Sequence, residues 1–391
     1  MALAALIAAY HESAEAGALR ATLPLAGRTV LERQVRLAVA AGATRIVLLV
    51  ERMPPELSAA IDRLRGERLP VHVARSAEEA AEAIDPSDRL VLVGDGAVAD
   101  APQIARLAAA EGPTVLTVAD GAYGELYERI DANSRWAGLA AVDGAMLRAT
   151  AAKLRDWDLQ STLLRRALQS GARPLAAEGP VAILDGRDDL ALLERRIISA
   201  ASSSGGGWAS RLLAPLERLL TLALMGGRIS PDLLGSAAVG FSAAGAAFVA
   251  YGWFLTGLAL LLLATPLEGV ADRLARIRMQ GDIGRHWWSY LNPAFAGAAL
   301  VALAYGLALL HGWGVVLLAF TTLAFLVALG IEIEGRTVKG AVLLAERKGM
   351  IWLMLPFAAF GAWNVGLALL FAYAAASFFW AQHQVHTVVR T

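Results

Sequence analysis

The sequence predicts two folds in one chain: an α/β domain on a mainly parallel sheet, then an all-α membrane domain of six helices. Three observations predict this. Residues 1 to about 200 alternate short apolar runs with charged, Ala-rich helical patterns. Beyond them, Ile229–Asp272, His286–Gly335 and Gly349–Val389 contain no lysine or arginine, and each is long enough to cross a bilayer twice, one crossing needing about 20 residues. Clusters of arginine and lysine separate these stretches.

In the first half, Ala4–Ala9, Arg45–Val50, Val71–Ala74, Leu90–Val93 and Thr114–Val118 read as strands. Helical patterns such as Leu31–Val39 and Ser76–Ile84 lie between them, and strands alternating with helices imply βαβ units and a Rossmann-like arrangement. Leu126–Asp131 and Ala137–Val142 read as an added hairpin. The N-terminal apolar run lacks a cationic flank and meets His11-Glu12, so a first strand is expected rather than an export signal. Ligands of open α/β sheets sit beyond the carboxyl ends of strands, which points to Gly94-Asp95-Gly96.

The predicted boundaries are 1–200 for the α/β domain, 201–207 for a Ser/Gly linker and 208–391 for the membrane domain. Trp208–Met225 reads as an amphipathic helix, leucines on one face and Arg211, Glu217 and Arg218 on the other, lying in the membrane interface or against the first spans. Ser230-Pro231 supplies an N-cap and an N1 proline for the first span. Each arginine-free stretch folds as a hairpin whose tip carries tryptophan, at Trp253, Trp313 and Trp363. The opposite ends carry Arg273, Arg276, Arg278, Arg285, Arg336, Lys339, Arg347, Lys348 and Arg390. The positive-inside rule puts these in the cytoplasm, with both termini, and makes the protein multi-pass in an inner (cytoplasmic) membrane.

Composition narrows the partners. A formal net charge of +0 argues against nucleic acid, which demands a basic surface. No cysteine means no disulfide framework and no thiolate chemistry. His383 and His386 share a helical face, more simply a solvated helix end than a metal site.

Leu23-Pro24-Leu25-Ala26-Gly27-Arg28-Thr29-Val30-Leu31-Glu32-Arg33, then Ala41-Gly42 before Ile46-Val47, resembles the opening of the sugar-phosphate nucleotidyltransferases. Leu92-Val93-Gly94-Asp95-Gly96 is similar to the strand whose aspartate meets metal and nucleotide, and Val181–Leu190 to a segment near that domain's end. The resemblance implies a nucleotide-binding role for Asp95. It departs at the first turn, where the family's Gly-rich phosphate loop is replaced by Tyr10–Arg20, carrying Glu12 and Glu15. The family's lysine is also absent, since none occurs before Lys153. The simpler reading of Asp95 and Asp100 is a turn residue and a helix cap.

In the second span, Glu268, Asp272 and Arg276 follow at i,i+4 spacing on one face. Ionisable groups at that depth face a cavity or an ionic partner, or else form the polar end of the helix. Pro266–Arg276 and the order of spans resemble the CDP-alcohol phosphotransferases, six-span membrane enzymes with a D-x2-D-G-x2-A-R-x8-G-x3-D-x3-D motif. Fused nucleotidyltransferase–phosphotransferases of phospholipid or polar-headgroup synthesis share the two-domain order. The resemblance implies Mg²⁺ or Mn²⁺ held by carboxylates, a CDP-activated donor, an alcohol or membrane-lipid acceptor, and a homodimer. On it, Glu268, Asp272 and Asp282 are the candidate metal ligands and Arg276 stands near the diphosphate.

Anchored on Ala275-Arg276, the motif's second aspartate falls on Ala271 and its last two on Ser289 and Pro293. Hard divalent cations need several oxygen ligands, so this loss bears directly on phosphoryl transfer. Three readings stay open: a diverged membrane phosphotransferase moving a substituted phosphate from a CDP-activated donor to an alcohol; an inactive relative that binds a catalytic relative or a lipid; and, least favoured, a transporter, for which no internal repeat is present.

Overall fold

The computed structural model describes residues 2–388 except 15–16, 121–126, 155–157, 179–180, 187–188, 192, 195–196, 198–206, 226–228, 280–285, 334–335, 337 and 339. The linker residues 201–206 and the candidate ligand Asp282 lie outside the described residues. Two compact units divide the chain, Met1–Ile197 and Ile198–Thr391.

In the first unit the strands are β1 (Leu3–Ala8), β2 (Pro24–Leu25), β3 (Arg28–Thr29), β4 (Arg45–Leu49), β5 (Val71–Ala74), β6 (Arg89–Val93), β7 (Ala97–Val98), β8 (Thr114–Ala119), β9 (Ser134–Asp143), β10 (Arg173–Ala176) and β11 (Ala182–Ile183). The helices are α1 (Val30–Ala40), α2 (Pro55–Gly66), α3 (Ala77–Glu82), α4 (Ala101–Ala109), α5 (Gly144–Ala151) and α6 (Leu159–Gln169). Seven strands form one sheet in the order β10-β8-β9-β6-β1-β4-β5. The pairs β1–β4, β1–β6, β4–β5 and β8–β10 are parallel, as βαβ connections require.

The expected hairpin turns as predicted, with Trp136 N–H donating to Glu128 at 2.8 Å and Ile130 N–H to Ser134 at 3.1 Å around the Arg129–Arg135 bridge, but it is not an addition to the sheet: its second arm is β9, inserted antiparallel between β6 and β8. Trp136–Val142 is buried throughout, so this run is a central strand rather than an appendage. Helix α1 starts from a capping box in which the Thr29 side chain accepts from the Glu32 N–H and Glu32 accepts in return from the Thr29 N–H at 2.8 Å.

The second unit opens with α7 (Trp208–Met225), followed by α8 (Pro231–Ala250), α9 (Phe254–Arg278), α10 (Trp288–His311), α11 (Gly314–Ile333), α12 (Arg347–Ala359) and α13 (Trp363–Val388). The six helices after α7 pair as three hairpins, each turning at a glycine with positive φ: Gly252 at 87°, Gly312 at 86° and Gly361 at 66°. Ser230 caps α8, accepting from the Leu233 N–H at 3.2 Å. Five of the six, all but α12, are long and apolar enough to cross a membrane. Helix α12 has 13 residues, short of a full crossing, because it begins only at Arg347 and ends before Gly361.

Helices α8 and α10 meet through small residues. A Cβ at Gly235 would lie 2.5 Å from the Trp288 ring, which is fully buried, so only glycine lets the indole seat against α8. Gly235→Ala is expected to lower stability by about 1–3 kcal/mol through overpacking. A thermal midpoint in detergent equal to that of wild type would overturn this contact.

Candidate functional site

In the first unit the carboxyl ends of β1 and β6 bring Tyr10, His11 and Asp95 together. Asp95 is buried, and its Oδ2 accepts from the Tyr10 and His11 backbone N–H groups, both at 2.7 Å. Its own N–H donates to Gln160 at 3.0 Å. The Tyr10 hydroxyl donates to Asp158, and Arg20 donates to Asp185 at 2.8 Å. Asp95 stands just past the carboxyl end of β6. Its carboxylate is spent on two N–H groups of the first βα turn, the kind of donors that would cradle a phosphate in a Gly-rich loop. Oδ1 is buried and has no hydrogen-bond partner among the described residues. Asp100 caps α4 by accepting from the Gln103 N–H at 3.2 Å, as the simpler reading expected.

His11 Nδ1 lies 3.6 Å from Asp95 Oδ2. This contact with Asp95 raises the imidazole's pKa above its ordinary value, against the lowering effect of partial burial. The folded state thus binds the proton more tightly than the unfolded one. Its stabilisation is full below the unfolded value of about 6.5 and is lost as pH rises through the raised folded value. His11→Gln should flatten this decline. The measurement is amide exchange of residues 4–11 between mildly acid and mildly alkaline pH, and an unchanged slope in the variant counts against the contact.

In the second unit a layer of charge joins α7, α9 and α12. Glu268 is buried and accepts a hydrogen bond from Arg347 at the start of α12. One turn on, Asp272 Oδ1 accepts from Trp288 Nε1 at 2.8 Å. Glu217 of α7 takes Arg273 at 2.9 Å. Arg276 is exposed, and with Lys348 lies within electrostatic reach of Asp272. Glu346 receives the Gly207 and Ser210 N–H groups at 3.0 and 3.3 Å, anchoring the start of α7.

Glu217 corrects the reading of α7. Placed by sequence on the polar face, it is 3% exposed, while Leu212, Leu216 and Leu219 are exposed at 63, 48 and 67%. The packed face is Ala209, Leu213, Glu217, Thr221 and Met225, a spacing of four that turns one side of the helix inward and leaves the leucines outward. The fit is close: a Cβ at Gly269 would stand 2.0 Å from Glu217 Oε1. Burial raises the Glu217 pKa, with Lys348 and Arg273 opposing. Sequence reasoning missed Glu217, Arg347 and Trp288 as partners.

The structure therefore brings Glu268 and Asp272 into one layer, leaves Arg276 at its edge, and gives no description of Asp282. Among the described residues no group of three or more His, Asp or Glu is arranged to hold a metal ion. Each acid in the layer instead meets a guanidinium or an indole N–H. Among the described residues these carboxylates are thus partnered within the chain.

No family model matches the sequence, and no curated protein matches it. Among solved structures, the chain is similar to a Bacillus anthracis protein described as a glucose-1-phosphate thymidylyltransferase, in complex with a sucrose. The identity is 12%, the match covers 50% of this chain and 95% of that one, and the TM-score is 0.39. A likeness at this level carries no argument about activity.

Proposed function

We propose that this protein is a non-catalytic relative of the fused nucleotidyltransferase and CDP-alcohol phosphotransferase enzymes, acting in the membrane as a binding or regulatory partner. The observation that carries the reading is the Glu268–Arg347 pair. The acid that stands in place of the family's first metal ligand is neutralised by the chain's own guanidinium. Asp95 supports it, its carboxylate bound to the backbone of the loop that would otherwise hold phosphate. On this reading the protein lies in the cytoplasmic membrane with both termini inside, and its partner is a catalytic relative, a membrane lipid or a second copy of itself.

The competing reading is a diverged phosphotransferase moving a substituted phosphate from a CDP-activated donor to an alcohol. It is favoured by one observation: Glu217 Oε1, buried beside this layer, has no hydrogen-bond partner among the described residues and offers a carboxylate oxygen outside the motif's spacing. Titrating the full chain in detergent with Mg²⁺ or Mn²⁺ and a CDP-alcohol separates the two. We expect no saturable heat from either. Metal-dependent binding of the CDP-alcohol that Glu268→Gln abolishes would reverse the conclusion and restore Glu268, Asp272 and Asp282 as metal ligands.

A further inference from the structure

The small ladder of the α/β unit, β7 with β11, is antiparallel, with Ala97 opposite Ile183 and Val98 opposite Ala182. One step beyond that register, the Leu184 N–H donates to Gly96 O at 2.9 Å. The same end of the ladder therefore delivers Asp95 from one side and Asp185 from the other. The Asp95 side chain is 0% exposed and that of Asp185 24%. Two carboxylates brought this far out of water call for positive charge, because a buried anion without a counterion is strongly destabilising.

The chain supplies that charge itself. Arg20 Nε donates to Asp185 Oδ1 at 2.8 Å. The backbone sets up this reach: the Arg20 N–H donates to His11 O at 3.1 Å, which ties Arg20 to the turn whose N–H groups hold Asp95. From there the Arg20 stem crosses the residue next to Asp95. A Cβ at Gly96 would lie 3.3 Å from Arg20 Cδ and 2.5 Å from Leu184 O, and Gly96 has a φ of 74°, so only glycine leaves room for the stem and the strand together. The Arg20 charge also acts on His11, whose Nδ1 lies 3.6 Å from Asp95 Oδ2.

We propose that Arg20 is the built-in cation of the Asp95 and Asp185 pair, bringing from within the chain the positive charge that the nucleotidyltransferase resemblance assigns to a metal at Asp95. A guanidinium stays charged at any physiological pH and is retained covalently, so the α/β unit keeps its countercharge whatever the supply of free Mg²⁺. A hard divalent ion would need several oxygen ligands here, and Asp185 Oδ1 is already engaged. The inference extends to the α/β unit the non-catalytic reading on which it rests.

The test is Mn²⁺ binding by the full chain in detergent, read by electron paramagnetic resonance. Only the part of the bound signal that Asp185→Asn removes is counted, which leaves out manganese held by the helical unit. Wild type should show no such part. Arg20→Ala should gain it, with an affinity about tenfold or more above that of wild type. Asp95→Asn in the Arg20→Ala background should abolish the gain. If Arg20→Ala melts early, Arg20→Gln replaces it, because glutamine keeps a polar side chain along Gly96. Counted manganese in wild type overturns the built-in cation. No gain in the variant overturns the shared acid pair and leaves Arg20 as a tie to Asp185 alone. Glu268 is read separately by the CDP-alcohol titration, so the two proposals fail independently.

Discussion

Arg347→Ala is expected to destabilise the helical unit by about 3–5 kcal/mol, because it strands the Glu268 carboxylate in a buried position without its partner. The Glu268 side chain is 6% exposed and that of Arg347 20%, so solvent offers the abandoned charge little compensation. Replacing both members, as Glu268→Gln/Arg347→Met, should recover most of the loss, since a buried pair exchanged for groups of similar volume is often nearly neutral. Thermal melting in detergent, read across the double-mutant cycle, gives the coupling directly. If Arg347→Ala melted like wild type, Glu268 would have to be neutralised by something else. A bound cation would then be the first candidate.

Glu32→Gln should cost the α/β unit about 3 kcal/mol at neutral pH. Glu32 caps α1 and is also held by Arg28 and Arg63, at 3.1 and 3.0 Å. Burial alone would raise its pKa, but the hydrogen bonds from Arg63 and Thr29 and the charges of Arg63 and Arg28 bring it from 4.5 to about 2. The sign follows from that lowering: the folded state binds the proton less tightly than the unfolded one. The stabilisation is therefore present above pH 4.5 and is lost as pH falls towards 2. Amide exchange across residues 30–40, measured at pH 7 and again near pH 3, tests both claims. A variant deficit of the same size at both values would mean that the network's contribution is packing and not charge.

The fold was largely legible, and for identifiable reasons. Strands β1, β4, β6 and β8 announce themselves as short apolar runs between helical patterns, because a parallel sheet is buried on both faces. The hairpins announce themselves because a bilayer excludes lysine and arginine from long stretches. What could not be read was pairing in space. Ala137–Val142 has no local mark that distinguishes a hairpin arm from a central strand, and its place is fixed by β6 and β8, distant in sequence. Glu217 was misplaced because a helical wheel separates polar from apolar, whereas in a membrane protein the buried face of a surface helix can be the polar one. The candidate site shows the same limit. Spacing put Glu268 and Asp272 on one face, but it could not say that Arg347, 79 residues away, would arrive at the first of them.

Helix α12 carries a consequence beyond its own length. Its 13 residues rise about 20 Å, against about 30 Å of hydrocarbon. A crossing at that flank would require a thinner hydrocarbon layer than the other helices do, and Arg347 is already met there by Glu268. Bilayers built from shorter tails would then accommodate the protein with less elastic distortion than thick, sterol-stiffened ones.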